Sequence, residues 1–223
     1  PSKKPPSIRI VPRRFKVGCG INWDESLDAQ LGVACIAPQQ RQLKSLKELR
    51  CRYRSRSADV EKSFRARAKG DQVIYFCCHG VGASFEDRTR LEKTFLRLNK
   101  AEAIKNGDMK FWTRGKGLLE QPLVFLNACQ GGQMNTIFYE SIAKELLDLD
   151  AMCLIGPQID MPGVFAAEYF NRFTEKVLKK ASKTSHVGPA VRELSQEFYD
   201  SNSNPLGFAY SLYRGIDSHI AWG

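Results

Sequence analysis

Two short apolar runs, each followed by a reactive side chain, constrain the fold of this chain most strongly. Residues 73–77 precede His79, and residues 123–126 precede Cys129. Short uninterrupted apolar runs are typical of strands that are buried on both faces, as in parallel sheets. The carboxyl ends of parallel strands meet at one edge of the sheet, where the functional groups of such folds lie. The imidazole and the thiol are therefore predicted to share one sheet edge.

Patterns typical of strands and helices alternate along most of the sequence. Apolar residues recur at helical spacing in residues 164–179 and 187–198, and further apolar runs occupy residues 31–37 and 151–155. This alternation predicts an α/β sandwich with a mostly parallel central sheet. The other predicted strands are 15–19, 51–57, 94–98 and 208–212, and the other predicted helices are 39–49, 57–70 and one that follows residue 135.

Length, composition and charge fit one globular domain with a basic surface. The chain has 223 residues, of which 43% are hydrophobic, and this is enough for one large α/β domain. Its net charge of +10 is compatible with nucleic acid or another acidic partner, and also with a solvated surface or a face covered by an acidic neighbouring domain. Aromatic residues do not interleave with the basic ones as a base-stacking platform requires. We therefore favour a solvated or covered basic surface.

The two ends of the sequence suggest a domain within a larger protein. Residues 1–14 contain four prolines and five basic residues, which predicts a lead-in or linker before one domain at residues 15–223. Because the sequence begins with Pro, we expect it to belong to a longer protein. No apolar run approaches the roughly 18 residues of a membrane span, and no signal-peptide pattern is found at the start. We expect a cytoplasmic protein without a membrane partner.

The cysteine pattern singles out one thiol. The seven cysteines include no Cys-x-x-Cys pair, which disfavours a structural zinc site and predicts mostly buried, reduced thiols. Cys77 lies within a predicted strand, and Cys78 would face away from its neighbour His79. Cys129 instead follows its strand directly. The remaining histidines, His186 and His219, lack a glycine turn and are expected to be structural.

A cysteine–histidine pair at a sheet edge can perform acyl transfer. A nearby imidazole increases the thiolate fraction or acts as a general base. The N–H groups of Gly80 and Cys129 could stabilise the tetrahedral oxyanion, and Gly131 and Gly132 would let a substrate backbone approach closely. Each residue alone also has an ordinary structural interpretation, because cysteines are often small buried hydrophobes and histidines are often satisfied core residues.

The motifs around these residues resemble those of caspase-like peptidases. Residues 128–131 read Ala-Cys-Gln-Gly, as in caspases, although Asn127 stands where caspases have Gln. Cys129 follows His79 by 50 residues, which is the spacing typical of caspases. Cys-Cys-His-Gly together with Leu-Asn-Ala-Cys-Gln-Gly-Gly is similar to the bacterial CHAT family, which belongs with caspases and separases and is often fused to TPR repeats. The resemblance extends over roughly residues 15–217.

This resemblance implies a caspase-like three-layer α/β/α sandwich with cysteine endopeptidase activity on a protein substrate. In that case His79 is the acid–base group, Cys129 is the nucleophile, and the N–H of Gly80 contributes to the oxyanion hole. The chemistry needs no metal and no organic cofactor. CHAT proteins commonly serve bacterial antiviral defence or programmed cell death. A sensor or repeat domain, in the same or a partner chain, holds them inactive. The resemblance therefore implies that the peptidase domain itself would contact nucleic acid only indirectly.

Substrate preference is a separate question. The long polar stretch 81–117 is predicted to be an active-site loop or specificity insert. Asp160, Glu86 and Asp87 are candidate carboxylates of the P1 pocket and would favour Lys or Arg there. Asp160 could equally be a solvated acid or a helix N-terminal charge, and the pocket could be apolar. A non-catalytic scaffold, or a basic module that binds nucleic acid or another partner, is the alternative to an enzyme.

Overall fold

The computed structural model describes residues 7–10, 17–21, 51–81, 94–129, 139–178 and 184–222. The strands are β1 (Ser7–Ile10), β2 (Val17–Ile21), β3 (Cys51–Arg54), β4 (Val73–Val81), β5 (Phe95–Arg97), β6 (Ala103–Lys105), β7 (Leu123–Cys129), β8 (Cys153–Pro157), β9 (Thr184–His186), β10 (Tyr210–Leu212) and β11 (His219–Trp222). The α-helices are α1 (Ser57–Phe64), α2 (Asp108–Thr113), α3 (Lys144–Asp148), α4 (Gly163–Leu178) and α5 (Val187–Asn202). A π-helical segment, Tyr139–Ala143, leads into α3, and a 3₁₀ helix, Pro205–Ala209, precedes β10.

The larger sheet is mixed, with a parallel centre. Its strand order is β10-β8-β7-β4-β2-β3, and the β5–β6 hairpin attaches to β4. Neighbouring strands from β8 to β3 are all parallel, whereas β10, β5 and β6 pair antiparallel. The predicted α/β fold with a mostly parallel sheet is confirmed. The predicted strand 51–57 corresponds to β3, which lies at the end of this strand order among the described residues.

Both faces of the central strands are buried, which explains why their sequences are apolar without alternation. One core cluster contains alternate residues of β4 and β7 together with α4 and α5, and the other contains the intervening residues together with α1, α2 and α3. The sheet therefore lies between two helical layers. The first cluster includes Val73, Tyr75, Leu123 and Phe125, and the second includes Ile74, Phe76, Val124 and Leu126.

Aromatic side chains fill the core beneath α4. Phe125 is fully buried, and its ring centroid lies 5.1 Å from that of Phe170 and 5.3 Å from that of Phe173. Tyr75 stacks on Phe170 with ring centroids 3.6 Å apart. Such pairs contribute about 0.5–1.5 kcal/mol each beyond the burial of their area. The strand that ends in Cys129 is consequently anchored by some of the largest side chains of the domain.

Several element boundaries differ from the sequence-based prediction. Helix α1 ends at Phe64 instead of continuing to Gly70, because Arg67 and Ala68, at the next inward positions, are exposed and give the helix nothing to bury. The stretch 81–117, predicted to be largely irregular, contains β5, β6 and α2. The predicted strand 31–37 and helix 39–49 lie outside the described residues.

The lead-in is partly structured. Residues 7–10 of the predicted linker form β1, which pairs in parallel with β11 in a second, three-stranded sheet of order β1-β11-β9. This part of the lead-in is thus an extended strand attached to the domain, while the boundary at residue 14 stays a prediction. Across the ranges given above, no helix has both the length and the apolar character needed to cross a bilayer.

Candidate active site

Strands β4 and β7 bring the two candidate catalytic residues together. The strands pair in parallel and in register over seven residue pairs, from Val73 opposite Leu123 to His79 opposite Cys129. Neighbouring strands lie about 4.8 Å apart. Both residues belong to the carboxyl-terminal edge of the sheet, where β7 ends at Cys129. The backbone therefore makes adjacent two residues that are 50 positions apart in the sequence.

Strand β4 extends beyond His79 because it changes partner. Its last described pair with β2 is Cys77 opposite Ile21, and residues 79–81 pair with β5, with Gly80 opposite Leu96. The imidazole of His79 is consequently well enclosed, with 4% of the residue exposed. Gly80 lies within β4, where β5 supplies its strand partner. Its role as an oxyanion donor stays a prediction.

Strand alternation separates His79 from the adjacent thiol. Tyr75 and Cys77 contribute to the core beneath α4, whereas Cys78 contributes to the opposite core. Position 79 continues the odd-numbered series, so Cys78 lies on the other face, as predicted. On β7, position 129 is four residues after Phe125 and therefore lies on the same face as Phe125. The register and the parity together place positions 79 and 129 on one face of the sheet.

Three other thiols are buried in the core. Cys77, Cys78 and Cys153 are buried and form no disulfide. Burial raises the pKa of the Cys153 thiol to about 12. A buried neutral thiol is a poor nucleophile, because the thiolate is the reactive form. These three residues therefore behave as the small core hydrophobes that the sequence predicted.

The proposed P1-pocket acids are only partly described. Asp160 is half-buried and follows β8, which pairs in parallel with β7. The chain there is fixed to the 3₁₀ helix by a hydrogen bond of 2.7 Å from the N–H of Gln158 to the carbonyl of Ala209. Asp160 thus belongs to the same sheet edge as His79, and its substrate role stays a prediction. Glu86, Asp87, Gly131 and Gly132 lie outside the described residues.

Asn127, to which the sequence motifs assign no role, is a central polar residue of this edge. It is 1% exposed, and its amide nitrogen donates to the carbonyl of Ala166 at 2.8 Å and to the hydroxyl of Tyr75 at 3.4 Å. Its side-chain oxygen accepts from the hydroxyl of Tyr210 at 2.8 Å. A polar residue within an otherwise apolar strand was the available signal, because buried amides require hydrogen-bond partners.

The remaining histidines lie in the small sheet. His186 and His219 are directly opposite each other on β9 and β11, with ring centroids 5.8 Å apart. His186 also occupies the N-cap position of α5. Within the part of the chain that the structure describes, no group of three or more His, Cys, Asp or Glu residues is arranged to hold a metal ion.

Comparisons with known proteins identify the fold. No protein-family model matches the chain. A solved structure of the Saccharomyces cerevisiae separase–securin complex aligns with 99% of this chain and 13% of that chain, at a TM-score of 0.50 and 11% sequence identity. The fold is caspase-like. At such low identity the caspase-like match establishes architecture alone.

One curated relative also matches. A protein named "Probable protease" from Vitiosangium sp. (strain GDMCC 1.1324) is 24% identical over 159 residues. The match covers 70% of this chain and 20% of the relative. This caspase-like chain thus spans about a fifth of the length of the curated relative that it matches.

Proposed function

We propose that this caspase-like chain is a cysteine endopeptidase domain in which His79 and Cys129 form the catalytic dyad. The observation that carries the proposal is their direct pairing at the carboxyl ends of two parallel strands. The relative named as a probable protease supports a peptidase, and the separase-like architecture is compatible with one.

The reaction follows from these two groups. His79 accepts the proton of the Cys129 thiol, and the thiolate attacks the scissile carbonyl to form a tetrahedral oxyanion. The N–H groups of Gly80 and Cys129 stabilise that oxyanion. As the C–N bond breaks, His79 returns the proton to the leaving amine and an acyl-enzyme remains. Water, deprotonated by His79, then hydrolyses the thioester and restores the thiol.

The burial of His79 serves this chemistry. A side chain as well buried as His79 has few rotamers available, which limits the orientations that the imidazole can present to Cys129. Cys77, Cys78 and Cys153 do not lie opposite His79 on a neighbouring strand, whereas Cys129 does.

The biological setting is part of the proposal. In the resemblance to CHAT proteins, the domain is a regulated bacterial effector in defence or cell death that acts in the cytoplasm on a protein substrate. A sensor or repeat domain would control it, in the same or a partner chain. The chain spans about a fifth of its curated relative, which leaves room for such domains in proteins of this kind.

Asp160 is the proposed specificity residue. It follows β8, the strand beside β7, so a carboxylate there would border the side chain that precedes the cleaved bond. A carboxylate in the P1 pocket favours Lys or Arg through charge-assisted hydrogen bonds. An apolar pocket would instead select Leu-like or aromatic side chains, and a peptide library distinguishes the two.

The test is cleavage of a peptide library by the wild type and three variants. Cys129→Ala and His79→Ala should each reduce kcat/KM by at least about 10³-fold while folding is retained. Cys78→Ala is the matched control, because it removes a thiol next to His79 on the other face of the strand and should leave cleavage intact. Full activity in either dyad variant would refute the assignment.

The alternative is a non-catalytic module. Its main support is the net charge of +10. An inactive wild type that binds nucleic acid with a steep salt dependence would favour a basic binding domain. An inactive wild type without such binding would favour a scaffold.

A further inference from the structure

The polar residue Asn127 is embedded in the strand that carries Cys129. It lies directly opposite Cys77 on β4. This pair comes two residues before the pair of His79 and Cys129 and lies on the same face of the sheet. A buried carboxamide is retained at low cost only when its donors and its acceptor are all satisfied. The three hydrogen bonds to Ala166, Tyr75 and Tyr210 described above achieve this.

The partners of Asn127 belong to three different elements. Ala166 lies in α4, Tyr75 in β4 and Tyr210 in β10. The end of β7 is therefore fixed to the helix beneath the sheet, to the histidine strand and to the strand beyond β8. No other described side chain on β7 makes a hydrogen bond to all three of these elements.

The hydroxyl of Tyr210 is itself held in place. Its ring stacks on that of Tyr169, with centroids 3.8 Å apart and planes at 3°. The hydroxyl of Tyr169 in turn lies 3.2 Å from that of Ser195 and 3.3 Å from the carbonyl of Val191, both in α5. The stacked rings thus limit the movement of the Tyr210 donor, while the Tyr169 hydroxyl bonds to α5 and contacts neither Tyr210 nor Asn127 through a hydrogen bond.

We propose that the hydrogen bond between Tyr210 and Asn127 positions Cys129 against His79. This inference rests on the proposed dyad and adds two positioning residues that need not contact the substrate. Displacement of reacting groups by about 1 Å can lower a rate by about 100-fold. Loss of this one bond should therefore lower the rate of the chemical step more than it weakens substrate binding.

The test compares two variants that each remove a single hydroxyl from stacked rings. Tyr210→Phe deletes the donor to Asn127, whereas Tyr169→Phe deletes a hydroxyl that is one ring farther away. In the full-length protein, Tyr210→Phe should lower kcat about 10- to 100-fold with KM nearly unchanged, and it should slow iodoacetamide alkylation of Cys129 near neutral pH. Tyr169→Phe should alter both readouts by less than about twofold, although it reduces stability.

A double-mutant cycle tests whether the two residues act through the same bond. Asn127→Ala should lower kcat at least as much as Tyr210→Phe, and the double variant should be no slower than Asn127→Ala alone. Independent, multiplying effects would overturn the proposal. So would equal effects of Tyr210→Phe and Tyr169→Phe, because that pattern indicates a general loss of packing.

The variant His79→Ala separates this proposal from the proposed function. If it abolishes cleavage and slows Cys129 alkylation while Tyr210→Phe does neither, the dyad stands and the positioning role is refuted. If His79→Ala leaves both cleavage and alkylation unchanged, the dyad is refuted, and the positioning role fails with it.

Discussion

A buried ion pair near the amino-terminal end of β4, away from His79, yields a prediction about stability alone. Asp71 precedes β4, and its carboxylate lies 2.9 Å from the guanidinium of Arg54 at the end of β3. The two side chains are 3% and 11% exposed. The hydroxyl of Ser63 also donates to Asp71. The pair passes over Gly18 of β2, where any Cβ would collide with both groups.

The size of the effect follows from this enclosure. Asp71→Asn leaves the Arg54 guanidinium without its counter-ion, and breaking a buried pair in this way costs about 3–5 kcal/mol. Because Arg54 keeps some access to water, we expect the lower end, about 3 kcal/mol. Replacing both residues with apolar ones, Arg54→Met with Asp71→Leu, removes the unpaired charge. That double variant should lie within about 1 kcal/mol of the wild type.

Urea unfolding followed by circular dichroism measures both values. The midpoint should fall for Asp71→Asn at an unchanged m-value and should recover in the double variant. The kcat/KM per folded molecule should stay at the wild-type value, because the pair lies at the other end of β4 from His79. A cost below about 1 kcal/mol for Asp71→Asn, or an equally destabilised double variant, would refute the reasoning.

Three further predictions concern the core and the pocket. Burial raises the pKa of Cys153 to about 12, so its thiol should resist alkylation in the folded protein at pH 9. The raised pKa should also make the free energy of unfolding decline as the pH rises above about 9, because the thiol ionises first in the unfolded chain. Rapid labelling of Cys153 would contradict this. Phe125→Ala should cost about 3–5 kcal/mol by urea unfolding; a cost near 1 kcal/mol would contradict a tightly packed aromatic core. Asp160→Asn should reduce kcat/KM for Lys or Arg at P1 more than for Leu; an unchanged ratio would favour the apolar pocket.

The central strands could be predicted because both of their faces are buried. The runs that became β4, β7 and β8 are apolar throughout, and helices with apolar faces follow them, so the α/β class was readable. The small sheet was not, because β1, β9 and β11 are strands of three or four residues whose pairing joins distant parts of the chain. Its register depends on tertiary contacts that no local pattern specifies.

The candidate site divides in the same way. The motifs identified His79 and Cys129, while their direct register is a property of the folded sheet. Asn127 illustrates what sequence reasoning missed. Its hydrogen-bond partners lie 39, 52 and 83 residues away, so only the fold shows that its amide is satisfied and what it holds.

The most direct test of the dyad is the site of covalent capture by a peptide electrophile. A peptidyl acyloxymethyl ketone, built on the sequence preferred in the library, reacts with the nucleophile that attacks the substrate carbonyl. Peptide mapping by mass spectrometry should find one adduct, on Cys129, in the wild type and none in His79→Ala. An adduct on Cys77, Cys78 or Cys153, or undiminished capture by Cys129 in His79→Ala, would contradict the account.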